Sequence, residues 1–255
     1  MPDTTLQDRT KAHYDAYPFD AITARDEADP RRIQPEPFIT FCERYMPEPQ
    51  KVAEIGCGPG RGTMYLEKLG HDVTAVDLSP ASIERARRRA PGATYVQASN
   101  LDLPFEDAQF DTVVSDGVIH HTPDAFRSFS ENARILKPGG HLYLGVYNRD
   151  YYYYWVYTYA GKPIRALERF RLGRALLGVT AMPVYWAVHQ LKSGGERSWT
   201  GAKNFFYDYI ITPQATFHSR EEITDWGDRL GLDLLGYDPQ MGNVHAFFFK
   251  KRDTA

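Results

Sequence analysis

The stretch Lys51-Val-Ala-Glu-Ile-Gly-Cys-Gly-Pro-Gly-Arg-Gly62 decides the fold. Its apolar start reads as a short buried strand ending near Ile55, and Gly56, Gly58 and Gly60 read as a tight turn. A helix is expected to start at Thr63. Such a turn at the carboxyl end of a strand is where open α/β sheets bind nucleosides. Taken alone, it has a plainer reading as a tight connection. A second expected strand, Asp72-Val-Thr-Ala-Val76, strengthens the nucleoside reading because it ends at Asp77, 17 residues beyond Gly60. A carboxylate placed there can accept both hydroxyls of a ribose.

The ligand is not a dinucleotide. The G-x-G-x-x-G fingerprint fails, with Arg61 or Thr63 where a third glycine would stand. Pro59 removes a backbone N–H that a pyrophosphate would need. Glu54 would repel a pyrophosphate and suits an ammonium or sulfonium, directly or through water. The physical reading is a phosphate-free, partly cationic adenosine compound.

The motifs continue through Asp77-Leu-Ser-Pro80, Leu103-Pro-Phe105, Phe110-Asp-Thr-Val-Val114, Gly117-Val-Ile-His-His-Thr-Pro-Asp124 and Leu136-Lys-Pro-Gly-Gly140. Together with Glu54-Ile-Gly-Cys-Gly-Pro-Gly60 they resemble the seven-stranded, class I S-adenosylmethionine-dependent methyltransferases of small-molecule type. The resemblance is continuous over residues 52–147 and weaker over 219–250. It implies an α/β fold, with a doubly wound, mostly parallel seven-stranded sheet, an antiparallel closing strand, and an aromatic-rich helical cap between the fifth and sixth strands. One domain is expected over residues 1–255. Residues 1–50 are its lid, 51–146 its cofactor-binding core, 147–219 its substrate cap and 220–250 its closing helix and strands. S-adenosyl-L-methionine is the implied cofactor. The implied contacts are Glu54, Gly56, Cys57, Gly58, Gly60, Asp77, Leu78, Ser99, Asn100, Leu101 and Asp116. Ser99 stands where the family usually carries an acid for the adenine amino group. Its hydroxyl accepts more weakly than a carboxylate, so Asn100 is expected to share that contact.

Composition narrows the function classes. A chain of 255 residues is long enough for one self-sufficient core. A net charge of −3 gives no global attraction to nucleic acid or to an anionic membrane. Cys42 and Cys57 form neither a disulfide framework nor a metal-ligand set, and no metal site is expected. The polar amino terminus does not read as a signal peptide. The longest apolar run, residues 175–188, falls short of the ~20 residues a spanning helix needs. A cytoplasmic location is the expectation.

Residues 147–219 depart from the rest. They hold 17 of the 35 aromatics and nine Lys/Arg against four Asp/Glu, a net of +5. A basic amphipathic helix is expected over residues 163–177, a loop at Ser193-Gly-Gly195, and an aromatic segment over 204–211 that includes Asp208. This region is read as a substrate cap, or as the interface of a homodimer, since aromatics and arginine mark both. After it, Ser219 and Glu222 read as a capping box that opens the last helix. The arginines of Glu84-Arg-Ala-Arg-Arg-Arg89 are read as a solvated helix face whose charge suits the C-terminal dipole, not as a nucleic-acid site.

Methyl transfer needs an aligned acceptor and a dry site, with a base only when the acceptor carries a proton of high pKa. His120 and His121, at the end of the fourth strand, are the candidate bases, beside a pocket-shaping reading. Tyr14 is a candidate at the cationic end of the ligand, as is Tyr17, against simple capping of the sheet edge. Asp116, Asn148 and Asp208 are further candidates. The leading expectation is a methyltransferase acting at O, N or C of a small apolar or aromatic metabolite. The alternatives are an RNA-modifying methyltransferase, a protein that binds an adenosyl ligand without catalysis, and a cap that rests on a membrane surface.

Overall fold

The structure is a computed structural model that describes residues 4–17, 20, 22–192, 199–239 and 243–253. The expected loop at Ser193-Gly-Gly195 lies outside the described residues. The amino-terminal part carries α1 (Thr4–Ala16), α2 (Ala24–Ala28) and α3 (Glu36–Tyr45). The core follows as β1 (Lys51–Ile55), α4 (Arg61–Lys68), β2 (Asp72–Asp77), α5 (Pro80–Arg89), β3 (Thr94–Gln97), β4 (Phe110–Asp116), α6 (Ala125–Ile135) and β5 (Leu136–Tyr147). Then come α7 (Tyr152–Trp155), α8 (Gly161–Glu168), α9 (Arg171–Val179), α10 (Ala181–Lys192) and α11 (Trp199–Phe206). The chain closes with α12 (Arg220–Arg229), β6 (Leu232–Asp238) and β7 (Val244–Lys251).

The strand order is β3-β2-β1-β4-β5-β7-β6. β7 runs antiparallel to both of its neighbours, and the pairs among β1 to β5 are parallel. This is the expected doubly wound sheet, and the side-chain period of two supplies a core on each face. On β5, Leu142, Leu144 and Val146 join Phe129, Ile223 and Phe247 on one side. Tyr143 between them joins Phe38, Phe41, Leu66 and Phe248 on the other. Chain reversal between β1 and β4 places the switch point of the sheet, and therefore the crevice, at the carboxyl ends of those strands.

Two expected boundaries move. The first helix after β1 begins at Arg61, two residues before Thr63, because Gly60 (φ +94°) serves as its N-cap in the left-handed region. The fifth strand, expected over residues 141–146 from the alternation of Leu142, Leu144 and Val146, begins at Leu136. Residues 137–140 are absorbed as a register shift against β4 between Phe110 and Thr112. The capping box of α12 is half formed. The Ser219 Oγ accepts the Glu222 N–H (3.3 Å), while the Glu222 carboxylate turns to the His218 ring (3.2 Å).

Residues 163–177 do not form one helix. Phe170 is extended (φ −101°, ψ +140°) and separates α8 from α9. The two helices then cross so closely that a Cβ on Gly173 would lie 2.1 Å from the Leu167 carbonyl oxygen. Arg165, which lies off the apolar stripe of the expected helix, donates to the carbonyls of Ile210 (3.0 Å) and Tyr157 (2.9 Å). The reason is backbone accounting. Val156–Ala160 and Tyr207–Ile211 are π-helical turns, and partners for their carbonyls come from side chains. Tyr153 Oη donates to the Tyr209 carbonyl at 2.5 Å for the same purpose.

The arginines of α5 are partly solvated, as expected, but two of them reach the amino-terminal segment, Arg85 through Asp20 at 3.3 Å. Arg89 bonds Asp20 (3.1 Å), Glu27 (3.0 Å) and the Pro59 carbonyl (3.0 Å), so it ties the amino-terminal segment to the glycine turn.

Candidate functional site

A cavity of about 560 Å³ opens where β1, β2 and β4 end. Its floor is the glycine turn, which the backbone of β2 holds in place. The N–H groups of Gly56 and Cys57 both donate to the Val76 carbonyl, at 2.7 and 2.9 Å. Gly60 must be glycine, because its φ is positive and a Cβ there would meet the Ala86 Cα at 2.9 Å. The Cys57 thiol is buried and its pKa is raised by that burial, so it packs the turn as a neutral group.

Asp77 sits on the cavity wall. One carboxylate oxygen accepts the Gly58 N–H and the other the Ser79 N–H, each at 2.8 Å. These bonds fix the carboxylate and leave each oxygen a further lone pair. Burial raises its pKa against the pull of these N–H groups. Leu78, Ser99, Asn100 and Leu101 line the same cavity. The Ser99 hydroxyl is already engaged, accepting the Leu101 N–H at 3.1 Å. The Asn100 amide is buried, and neither its oxygen nor its nitrogen has a hydrogen-bond partner among the described residues. An unsatisfied donor–acceptor pair on a cavity wall is costly unless a ligand completes it. Of the two residues expected to share a contact, Ser99 is engaged, and Asn100 holds the polar atoms without a partner among the described residues.

The far end of the turn is polar. The Glu54 carboxylate accepts the Thr63 hydroxyl at 2.5 Å and is tucked so closely against Gly62 that a Cβ there would lie 2.3 Å from Oε1. Burial pushes its pKa up to about 7. Asp116, at the end of β4, is ion-paired with Arg61, and both residues line the cavity. Sequence reading does not single out Arg61 as a ligand group, because there it counts only as a missing glycine. Its position on the first turn of α4, facing the end of β4, is the available signal.

The remaining wall is assembled from three distant segments. Tyr14 on α1 donates its hydroxyl to Asp208 Oδ1 at 3.2 Å. The Tyr14 ring meets His121 edge-on, with centroids 5.9 Å apart. Asp208 is buried, and desolvation raises its pKa to about 7 while the Tyr14 bond pulls it down. Burial lowers the His121 pKa to about 4. Its Nδ1 lies 2.8 Å from the Gln214 carbonyl, so Nδ1 carries the hydrogen and Nε2 holds the lone pair. His120 is turned the other way. Its Nδ1 accepts the Tyr147 N–H at 3.2 Å, so the hydrogen sits on Nε2, which is buried without a partner among the described residues. In this arrangement His121 has the properties of a base, and His120 those of a donor packed against Tyr147, 3.7 Å between centroids.

Two further candidates lie elsewhere. Tyr17 stacks on Tyr207 at 3.9 Å and is not a wall of the cavity. The side chain of Asn148 accepts the Asp150 N–H at 2.9 Å, as a local turn contact. Among the described residues no group of His, Cys, Asp and Glu could hold a metal ion.

Residues 53–144 match the family model described as a methyltransferase domain. An uncharacterized methyltransferase of Synechocystis is 42% identical over 93 residues, which are 36% of this chain and 44% of that protein. Phthiotriol/phenolphthiotriol dimycocerosates methyltransferase 1 of Mycobacterium ulcerans is 35% identical over 125 residues, 47% of this chain and 46% of that protein. The match thus spans less than half the length of each of these relatives. The crystal structure of Burkholderia thailandensis 1,6-didemethyltoxoflavin-N1-methyltransferase is similar in fold. Its TM-score is 0.59 at 17% identity, over 99% of this chain and 91% of that one. Sheet order, glycine turn, Asp77 and the matched residues lead to one assignment: residues 53–144 are a methyltransferase domain, in a chain with the class I S-adenosylmethionine-dependent methyltransferase fold.

Proposed function

We propose that this protein transfers a methyl group from S-adenosylmethionine to a small, apolar or aromatic acceptor bound under α1 and the cap. The observation that carries this reading is the continuous cavity that runs from Asp77 to the Tyr14–His121–Asp208 wall. Its residues fit the cofactor at each end. Asp77 offers fixed lone pairs to the ribose hydroxyls. Asn100 offers a free donor and acceptor to the adenine edge. Arg61 suits a carboxylate, and Glu54 and Asp116 suit an ammonium. When bound, S-adenosylmethionine supplies a methyl carbon already activated on a sulfonium.

The protein's own tasks are then alignment, exclusion of water and custody of one proton. Tyr14, Tyr147 and Tyr209 present ring surface to the cavity, which suits an apolar or aromatic acceptor. Asp208 is the group we assign to take a proton from that acceptor. Burial has tuned it to about 7, the range in which a carboxylate is an effective base near neutral pH. His121 Nε2 is the neighbouring acceptor. Its pKa near 4 keeps it neutral, and makes it the weaker base of the two. The Mycobacterium relative and the Burkholderia enzyme of similar fold, named for phthiotriol dimycocerosates and 1,6-didemethyltoxoflavin, support an acceptor that is not a macromolecule.

Titration calorimetry with S-adenosylhomocysteine tests the site. The intact protein is expected to bind it. Asp77→Ala and Asn100→Ala are each expected to weaken binding about tenfold or more, the loss of hydrogen bonds worth ~1.5–3 kcal/mol. Unchanged affinity in both variants would remove the assignment of this cavity to the cofactor.

A further inference from the structure

The cap turns apolar side chains outward on successive helices. On α9, Leu172, Leu176 and Val179 follow at spacings of four and three and are exposed, Leu172 to 84% and Val179 to 74%. On α10, Val184, Val188 and Leu191 repeat the pattern, with Leu191 exposed to 87%. Tyr152, Trp155 and Tyr159 form a third exposed stripe along α7 and the π turn after it. The π turn packs on α8, α8 on α9, and α9 on α10, so the stripes are carried by helices in mutual contact. A solvated surface scatters such residues singly, and a run of stripes marks an interaction face.

We propose that this outer face of the cap docks on an anionic lipid bilayer. Charge chooses the occupant. Residues 151–192 contain six Lys/Arg and one acid, Glu168. Glu168 is spent on Arg174, 3.0 Å away. Lys162, Arg169 and Arg171 are exposed, and no ion pair is found for them among the described residues. Basic side chains beside exposed leucines and valines are what an interfacial helix presents to anionic headgroups and acyl chains. Trp155 and Tyr159, stacked at 5.3 Å, have the half-apolar character of residues that settle at headgroup depth. A second copy of this chain is the poorer fit. A two-fold interface would set the same positive face against itself. RNA is poorer as well, because the stripes on α9 and α10 are aliphatic, and among the described residues of this face exposed rings for bases to stack on are confined to Phe170 and the stripe along α7. Among the described residues no helix is long and apolar enough to cross a membrane, so the contact is with the surface.

Flotation of the full chain with vesicles tests this, and its readout does not depend on the methyl acceptor. Affinity for phosphatidylcholine–phosphatidylglycerol vesicles should exceed that for phosphatidylcholine alone by about a hundredfold, since three exposed cations at ~1 kcal/mol each add ~3 kcal/mol. The excess should shrink as salt is added. The exposed pair Leu172→Asp and Val179→Asp should abolish flotation while circular dichroism and S-adenosylhomocysteine affinity stay unchanged. Arg169→Glu with Arg171→Glu should remove the preference for anionic vesicles. No flotation by the unaltered protein, or flotation that survives both double variants, would overturn the proposal. So would a dimer in solution that Leu172→Asp and Val179→Asp convert to monomer in the absence of any vesicle binding. Retention on single-stranded RNA in place of vesicles would overturn it too.

Discussion

Asp208 shows how one residue acquires its role from burial. A carboxyl group on a surface would be fully ionised at neutral pH. Burial against Tyr14 and the cap raises it to about 7, so it is carboxylate only above that value. If it takes the acceptor's proton, kcat should climb as pH rises through about 7. Asp208→Asn should lower kcat about 10²-fold or more, remove that limb, and leave S-adenosylhomocysteine affinity intact. Tyr14→Phe is a finer probe. The Tyr14 hydroxyl donates to the carboxylate and holds its pKa down, so removing it should move the same limb to higher pH. An unmoved limb in Tyr14→Phe, or unchanged kcat in Asp208→Asn, would transfer the proton's destination to His121. Asp77 and the glycine turn are legible from local spacing, because a strand end and a tight turn need only neighbours in sequence. The Tyr14–His121–Asp208 wall is not. Its members come from three segments, and Tyr14 and Asp208 stand 194 positions apart, so only the packing of α1 and the cap brings them together.

At the scale of elements, the strands and the helices flanking them follow from apolar alternation, glycine stops and the N-cap serines at 79 and 219. The cap helices are harder to read. Their apolar residues do not face one core, and the break at Phe170 has no proline or glycine beside it to announce it. It follows from tertiary contact, with Gly173 allowing α9 to press on the Leu167 carbonyl. Gly173→Ala should therefore loosen the α8–α9 crossing at a cost of about 1–3 kcal/mol, the range for overpacking a tight contact. Hydrogen exchange should report faster opening in α8 and α9 and unchanged protection in β1, β4 and β5. Equal loosening of the sheet would mean that the cap and the core open together. Arg165 escapes a sequence reading for a related reason. Helical periodicity only sets it off the apolar stripe, whereas the π turns supply carbonyls that its guanidinium satisfies.

For the whole molecule, burial of titratable groups makes stability depend on pH in a calculable direction. His13, His121 and His245 are held near 4 by burial, below the usual 6.5. Their contribution is complete above about 6.5, and is lost as pH falls toward 4, because the unfolded chain takes up protons first. Glu54 and Asp208 act in the opposite sense. Raised to about 7, they favour the folded state most at low pH, and that contribution disappears as pH climbs to 7. His120 and His218 are lowered as well, so the histidines should prevail. The melting temperature is expected to fall between about pH 6.5 and about pH 4.5, and to fall more steeply in Glu54→Gln with Asp208→Asn. A flat profile, or a shallower one in the double variant, would contradict these burial effects.

The central claim is methyl transfer to a small acceptor in the cavity that Asp77 and Asp208 share. It is tested most directly with S-adenosylmethionine carrying a labelled methyl group, incubated with the protein and a crude metabolite, RNA and protein extract that is then fractionated. The account predicts label in the small-molecule fraction, lost in Asp77→Ala through failed cofactor binding and in Asp208→Asn without such failure. Label in RNA or protein, or no label anywhere while S-adenosylhomocysteine still binds, would contradict it.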